Sequence, residues 1–284
     1  MTYHSQLNLI MLVTVIGLAV FLYLKPQFQS ENGETLQISI RTPETVQMIR
    51  IIRQGQEITL ERTASSGWHM VAPFSARADE ELVGKMLNVL SAHSRQRFPL
   101  RDTESFNLDH PVIELYIDDD HFAFGGLAPV TNEQYLAINE HVYLVSPRYA
   151  IWVPASPMDL VSPRLLADDD IPVRFELDDL TVNKQNDVWH VDSEVIGSLN
   201  NQLLARWAEN WRFIQATELL TDLRDYSDKQ FTVKISFLDG REMILNVIDN
   251  ESGTVFYRPG EQVAYFFPHP IARQLLDPSI IEPE

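Results

Sequence analysis

The chain has 284 residues, room for about two domains, with 22 basic and 40 acidic side chains and a formal charge of −18. A hydrophobic share of 45% against 22% charged is an ordinary globular balance, which excludes wholesale disorder and a polytopic membrane protein. The acid excess argues against a nucleic-acid partner, because phosphate contacts need clustered Lys and Arg.

Residues 1–24 contain no Asp, Glu, Lys or Arg, so the whole charge lies on residues 25–284. Leu7 to Leu24 is an apolar run of 18 residues. At the helical rise it spans roughly 27 Å, close to the hydrocarbon thickness of a bilayer. Tyr23 stands where an interfacial aromatic belongs, and Lys25-Pro26 ends the run. The run is longer than a cleavable signal region and carries no Ala-x-Ala site. With no cysteine to acylate, a lipoprotein is excluded. The expectation is an uncleaved transmembrane signal-anchor over residues 1–25. Charge does not fix its orientation, since Lys25 alone lies close to either end. Residues 26–45 read as a polar tether.

In the first half, Met48 to Ile51 and Ile58 to Leu60 are extended segments, followed by a strand around Trp68-His69-Met70. Asp79 then caps a predicted helix. Glu80 and Glu81 suit its positive N-terminal dipole, and Leu82, Val83, Met86, Leu87 and Leu90 form one apolar face. Val112 to Ile117 predicts a strand, Asp118-Asp119-Asp120 a turn and Phe122 to Phe124 the returning strand. A hairpin of Tyr135–Ile138 with Val142–Val145 closes this half. Prolines and the acidic run Asp168-Asp169-Asp170 predict an exposed connector over residues 161–171.

The second half repeats the order. Val173 to Leu177 is extended, Trp189-His190-Val191 is a strand, and Ser198 caps a helix carrying Leu199, Leu203, Trp207 and Trp211 at four-residue spacing. Phe231, Val233, Ile235 and Phe237 alternate with polar residues, the period of a half-buried strand. Asp239-Gly240 is a hairpin turn before Met243-Ile244-Leu245. A second hairpin pairs Val255–Tyr257 with Val263–Phe267 around Pro259-Gly260. A short helix over Ile271–Leu276 ends the chain.

The halves align at one ungapped offset of 121 residues. Trp68 meets Trp189, Met86 meets Trp207, Leu90 meets Trp211, Val112 meets Val233, Asp118 meets Asp239, and Glu140 and Val142 meet Glu261 and Val263. The expected architecture is therefore α+β. It comprises the signal-anchor 1–25, the tether 26–45, repeat 1 over 46–160, the connector 161–171 and repeat 2 over 172–284. Each repeat would pack one helix on a mainly antiparallel sheet.

Several motifs stand in a familiar order. They are Gly67-Trp68-His69-Met70, Ala72-Pro73, Ala78-Asp79 with the Leu82–Leu90 helix, and Phe106-Asn107-Leu108-Asp109-His110-Pro111. Phe124-Gly125-Gly126 and the Tyr135 to Val145 hairpin follow. In this order the chain resembles the Domain of Unknown Function 4340 family over roughly residues 45–160, with Asn107 where that family usually has Gly. The resemblance implies a bacterial envelope protein with one N-terminal membrane helix, accompanying an ABC transport system of the gliding-motility type. With the large domain placed outside, because long domains translocate largely regardless of charge, it implies a single-pass inner-membrane location with the C-terminal domain in the periplasm, and protein partners in a transport complex. No catalytic residues are established for the family, so none carry over.

The residues themselves present no catalytic constellation. There is no Gly-x-Ser-x-Gly, phosphate loop, His-Glu-x-x-His or dinucleotide fingerprint, and thiolate chemistry is excluded by composition. His69 and His190 sit at equivalent positions beside Trp and read as structural. Asp118-Asp119-Asp120 lacks the alternating ligands and distal Glu of a calcium loop. No catalytic, cofactor or metal residues are assigned, and no cofactor is expected. The expected function is a non-enzymatic, membrane-anchored accessory or scaffold of a transport complex. One alternative is a glycan- or peptide-binding module using Tyr149, Trp152 and Tyr257. The other is a hydrolase, which needs two carboxylates converging in a pocket with perturbed pKa values.

Overall fold

The computed structural model describes residues 11, 15, 35–63, 67–192, 199–222 and 231–280. The chain divides into two compact units, Met1–Leu36 and Gln37–Glu284. Of the first, only Met11, Val15 and residues 35–36 are described. The anchor expected over Leu7–Leu24 otherwise lies outside the described residues. Among those described, no helix is long and apolar enough to cross a membrane. The transmembrane and signal-anchor readings, and the single-pass inner-membrane location built on them, are corrected accordingly: they have no support in the structure.

The second unit is built on two large antiparallel sheets. In the first, β1 (Met48–Arg53), β2 (Gln56–Thr63), β3 (Gly67–Ala72) and β4 (Ala76–Arg77) form a meander. The chain then makes α1 (Glu80–Leu87) and the edge strand β5 (Arg97–Pro99). It returns beside β1 as β6 (Ile113–Ile117), β7 (Asp120–Leu127), β8 (Gln134–Ile138) and β9 (His141–Val145). The spatial order is β4-β3-β2-β1-β6-β7-β8-β9-β5. A one-turn helix α2 (Arg148–Ile151) follows.

The second sheet runs through β10 (Pro172–Glu176), β11 (Thr181–Gln185) and β12 (Val188–Asp192), then α3 (Asn201–Phe213) and the edge strand β13 (Glu218–Leu220). It continues as β14 (Phe231–Phe237), β15 (Glu242–Asp249), β16 (Thr254–Tyr257), β17 (Ala264–Phe267) and α4 (His269–Leu276). Its order is β12-β11-β10-β14-β15-β16-β17-β13. Without β4, this is the order of the first sheet, strand for strand.

The α+β class is corrected to a mainly antiparallel β architecture. The helices α1 and α3 have only 8 and 13 residues, against sheets of nine and eight strands. A third sheet has two short strands. The sheets carry the cores because their strands alternate. Ile49, Ile51, Leu60, Trp68, Leu115, Phe122 and Phe124 are buried in the first cluster, and Phe175, Val182, Val233, Ile235 and Leu245 in the second. In the second cluster the indole N–H groups of Trp207 and Trp211 both donate to the Leu275 carbonyl, at 2.9 and 3.1 Å.

The 121-residue correspondence is close from strand to helix. Asp79 caps α1 by accepting from the Leu82 N–H, and Asn200 caps α3 by accepting from the Leu203 N–H. The next residue reaches back in both halves. Glu80 Oε1 accepts from the Trp68 N–H at 2.5 Å, and Asn201 Oδ1 from the Trp189 N–H at 2.7 Å. The cap expected at Ser198 is thus supplied by Asn200, and Ser198 lies outside the described residues.

The single offset fails in the next strand. Val112 is 53% exposed whereas Val233 is fully buried. The residues that share the core-facing role are Ile113, Leu115 and Ile117 with Val233, Ile235 and Phe237, one residue out of the ungapped register. A slip of one flips every side chain to the other face, so burial forces the shorter offset here. The longer turn before β15 restores the original one. Phe122 and Phe124 pair with Leu115 and Ile113, and Met243 and Leu245 pair with Ile235 and Val233.

The connector is exposed only in part, at Asp168, Asp169 and Ile171. Val161, Leu165, Leu166 and Asp170 are all buried. The segment is bound on both sides. The Ser162 N–H donates to the Arg77 carbonyl, the Asp79 N–H to the Leu160 carbonyl and the Ala216 N–H to the Pro163 carbonyl. Asp170, expected to be solvated, is 2% exposed and bonded to Arg241 and to the Ala167 N–H. Contact between the halves is also direct. The Gln262 N–H donates to the Ser75 carbonyl, and Val263 belongs to the first core cluster.

Candidate functional site

Where β4, the start of α1 and the connector meet, they enclose a cleft of about 370 Å³. Gly67, Arg77, Asp79, Glu80 and Glu81 line it from the first half, and Ser162, Arg164, Asp168 and Asp169 from the connector. The local folding explains this placement. Gly67 has φ +71°, and a Cβ there would stand 2.1 Å from Glu80 Oε1. Only glycine lets β3 start this close to the helix. Asp79 and Glu80 are held by the helix start, as described above. Glu81 pairs with Lys85 at 2.5 Å, which holds its carboxyl below the usual range.

Arg77 is 5% exposed. One guanidinium nitrogen, Nη2, donates to the Arg164 carbonyl and, at 3.3 Å, to Ser162 Oγ. The other, Nη1, is enclosed with no hydrogen-bond partner. Burial lowers the Arg77 pKa, with Arg258 adding to the shift and Tyr265, Glu261 and Asp170 opposing it. Arg258 is balanced directly, since its Nη1 meets Glu261 Oε1 at 2.8 Å and its Nη2 donates to the Leu165 carbonyl. The Tyr265 hydroxyl donates to Glu261 Oε2 at 3.2 Å, and burial pushes the phenol up to about 12.

Sequence reasoning missed Arg77. Its signal was slight: an arginine between Ala76 and Ala78, small residues suited to a tightly covered strand, just before a helix cap. The residues it did single out are scattered. His69 Nε2 lies 2.9 Å from Ser75 Oγ, whereas His190 is exposed on the edge strand β12, so the two do not share an environment. Asp118 and Asp120 are bonded to Arg41 at 2.9 and 2.8 Å, and Asp118 Oδ1 also accepts from the Gln47 and Met48 N–H groups. A guanidinium occupies the place a calcium ion would need. Among the described residues, no cluster of three or more His, Asp or Glu could hold a metal. Tyr149 is 6% exposed, and Trp152 packs against the first core with its ring 5.9 Å from that of Tyr149. They form no open aromatic platform with Tyr257, which lies in the second sheet.

Two of the motifs behind the resemblance meet in space. A Cβ on Gly125 would stand 2.3 Å from the Phe106 carbonyl oxygen and 3.0 Å from Leu108 Cγ. The Phe106 to Pro111 step therefore lies directly on the Gly125-Gly126 segment. Asn107 has φ +52°, the left-handed region that glycine enters freely and asparagine tolerates, so either residue suits the position. Compared with known proteins, the chain matches no family model, no curated protein and no solved structure. The resemblance rests on these motifs and their order.

Proposed function

We propose that the protein is a non-enzymatic scaffold or accessory subunit that binds a protein partner at the junction of its halves, within an ABC-type transport complex. The observation that carries this reading is the partly buried connector. It joins two sheets of one strand order into a single compact unit and forms one wall of the cleft, so a partner seated there touches both the first half and the connector. The transport setting comes from the family resemblance alone. The cleft carboxylates favour binding over acid–base catalysis. Asp79 and Glu80 are committed to backbone N–H groups, and Glu81 is shifted away from the raised pKa a general acid needs.

The test is crosslinking in cells that make the full-length tagged chain, followed by mass spectrometry of the linked peptides. The expected result is a transporter subunit crosslinked at the cleft lining, with the link lost in E81K/D169K. Absence of any transport subunit, or links confined to distant surfaces, would overturn the reading.

A further inference from the structure

The floor and the rim of the junction cleft carry opposite charge. Beneath it lies the buried Arg77, near a half-buried guanidinium, Arg258, whose carboxylate partner is Glu261. Asp170 is already paired with Arg241. Among the described residues Arg77 thus has no carboxylate partner, and its Nη1 has no acceptor. Leaving such a donor enclosed and unmet is unfavourable. The rim is the reverse: Asp79, Glu80, Glu81, Asp168 and Asp169 all line the cleft. Among the described residues Asp169 has no ion-pair partner, and the exposed Arg164–Asp168 and Lys85–Glu81 pairs are weak enough to yield to a better one.

A simple anion is attracted by Arg77 but repelled at the rim, and a simple cation meets the reverse. We propose that the cleft binds a carboxylate that carries a positively charged group close by, the carboxylate on Arg77 Nη1 and the cation among Glu81, Asp168 and Asp169. Two sources share this chemistry: a free basic amino acid, and the basic carboxyl-terminal residue of a protein partner. The proposal rests on the reading of the junction cleft as the recognition site. Nη1 is closed off from solvent, so binding there requires lining side chains to move.

Calorimetric titration of the full chain tests this with four probes: Gly-Gly-Lys, its carboxyl amide, Gly-Gly-Glu and free lysine. Gly-Gly-Lys should bind at least about tenfold more tightly than the amide or Gly-Gly-Glu, since each loses one charge-assisted contact. Free lysine matching Gly-Gly-Lys would identify the amino-acid source, and a tenfold weaker lysine the peptide source. R77Q should abolish the difference between acid and amide. Arg77 also holds the connector, so R77Q can fail to fold. The exposed double variant E81K/D169K then decides, and it should reverse the preference toward Gly-Gly-Glu. Equal affinity for acid and amide, no binding of any probe, or an unreversed preference would overturn the proposal. If the peptides fail while the transporter crosslink persists at the cleft, the charge assignment falls and the scaffold reading stands.

Discussion

At Asn107 the backbone decides the residue. Its left-handed φ is open to Gly and Asn and strained for a β-branched side chain. N107G should unfold in urea at the same midpoint as the parent, whereas N107V should lose about 1–3 kcal/mol. At His69 the environment decides the proton. Burial is the main cause of its lowered pKa, opposed by Glu261 and Glu61 and reinforced by Arg258 and Arg77. A histidine whose folded pKa lies below its unfolded value of 6.5 binds fewer protons when folded. Its stabilising contribution is then complete above the unfolded value and is lost as pH falls through that value toward the folded one. Urea midpoints of the parent should therefore drop between about pH 7.5 and 5 more steeply than those of H69Q. A parallel dependence in the two proteins would show that other groups carry the acid limb.

The two strand–helix units built on Trp68 and Trp189 use the same device with different residues. A cap at Asp79 or Asn200 is followed by a side chain that reaches back to the tryptophan N–H. D79A and N200A should each cost about 1 kcal/mol, and the double variant their sum, because the sites share no partner. Chemical denaturation of the three proteins checks this. How far each unit could be read from sequence follows from the same contacts. Asp79 was legible because two glutamates and an apolar stripe follow it at once. Asn200 was not, because Ser198 offers a good cap two residues earlier and only the contact with β12 selects between them. The strand of Phe231 to Phe237 was legible from its alternation, since one face is buried. Its register against the first half was not, since Val112 and Val233 look alike in sequence and differ only in which side of a sheet they face. The edge strands β5 and β13 are too short to show any period, and with them missing, the helices weighed too heavily in the expected class.

Across Gln37–Glu284 the connector changes the thermodynamic unit. Prolines and three consecutive aspartates look solvated, but Leu165, Leu166 and Asp170 are buried, and the neighbouring backbone bonds to both halves. What hid this from the sequence is the pairing partner: Arg241 lies 71 residues from Asp170, a separation at which no local pattern speaks. Two independent repeats would melt in two steps. This arrangement predicts one. Thermal unfolding followed by tryptophan fluorescence and by far-ultraviolet circular dichroism should give coincident transitions. L165D should lower the midpoint of the whole transition, and a separate early step for either half would contradict the coupling.

The burial of Val263 in the first cluster also bears on the order of events at the ribosome. A domain usually closes once its own residues have emerged. Here the first sheet is fully synthesised by Val145, yet one of its core side chains arrives more than a hundred residues later. At about 5–20 residues per second that is a delay of about 6–24 s, during which the first half has its strands but an open patch in its interior. A hairpin made late therefore completes a core whose strands were laid down much earlier.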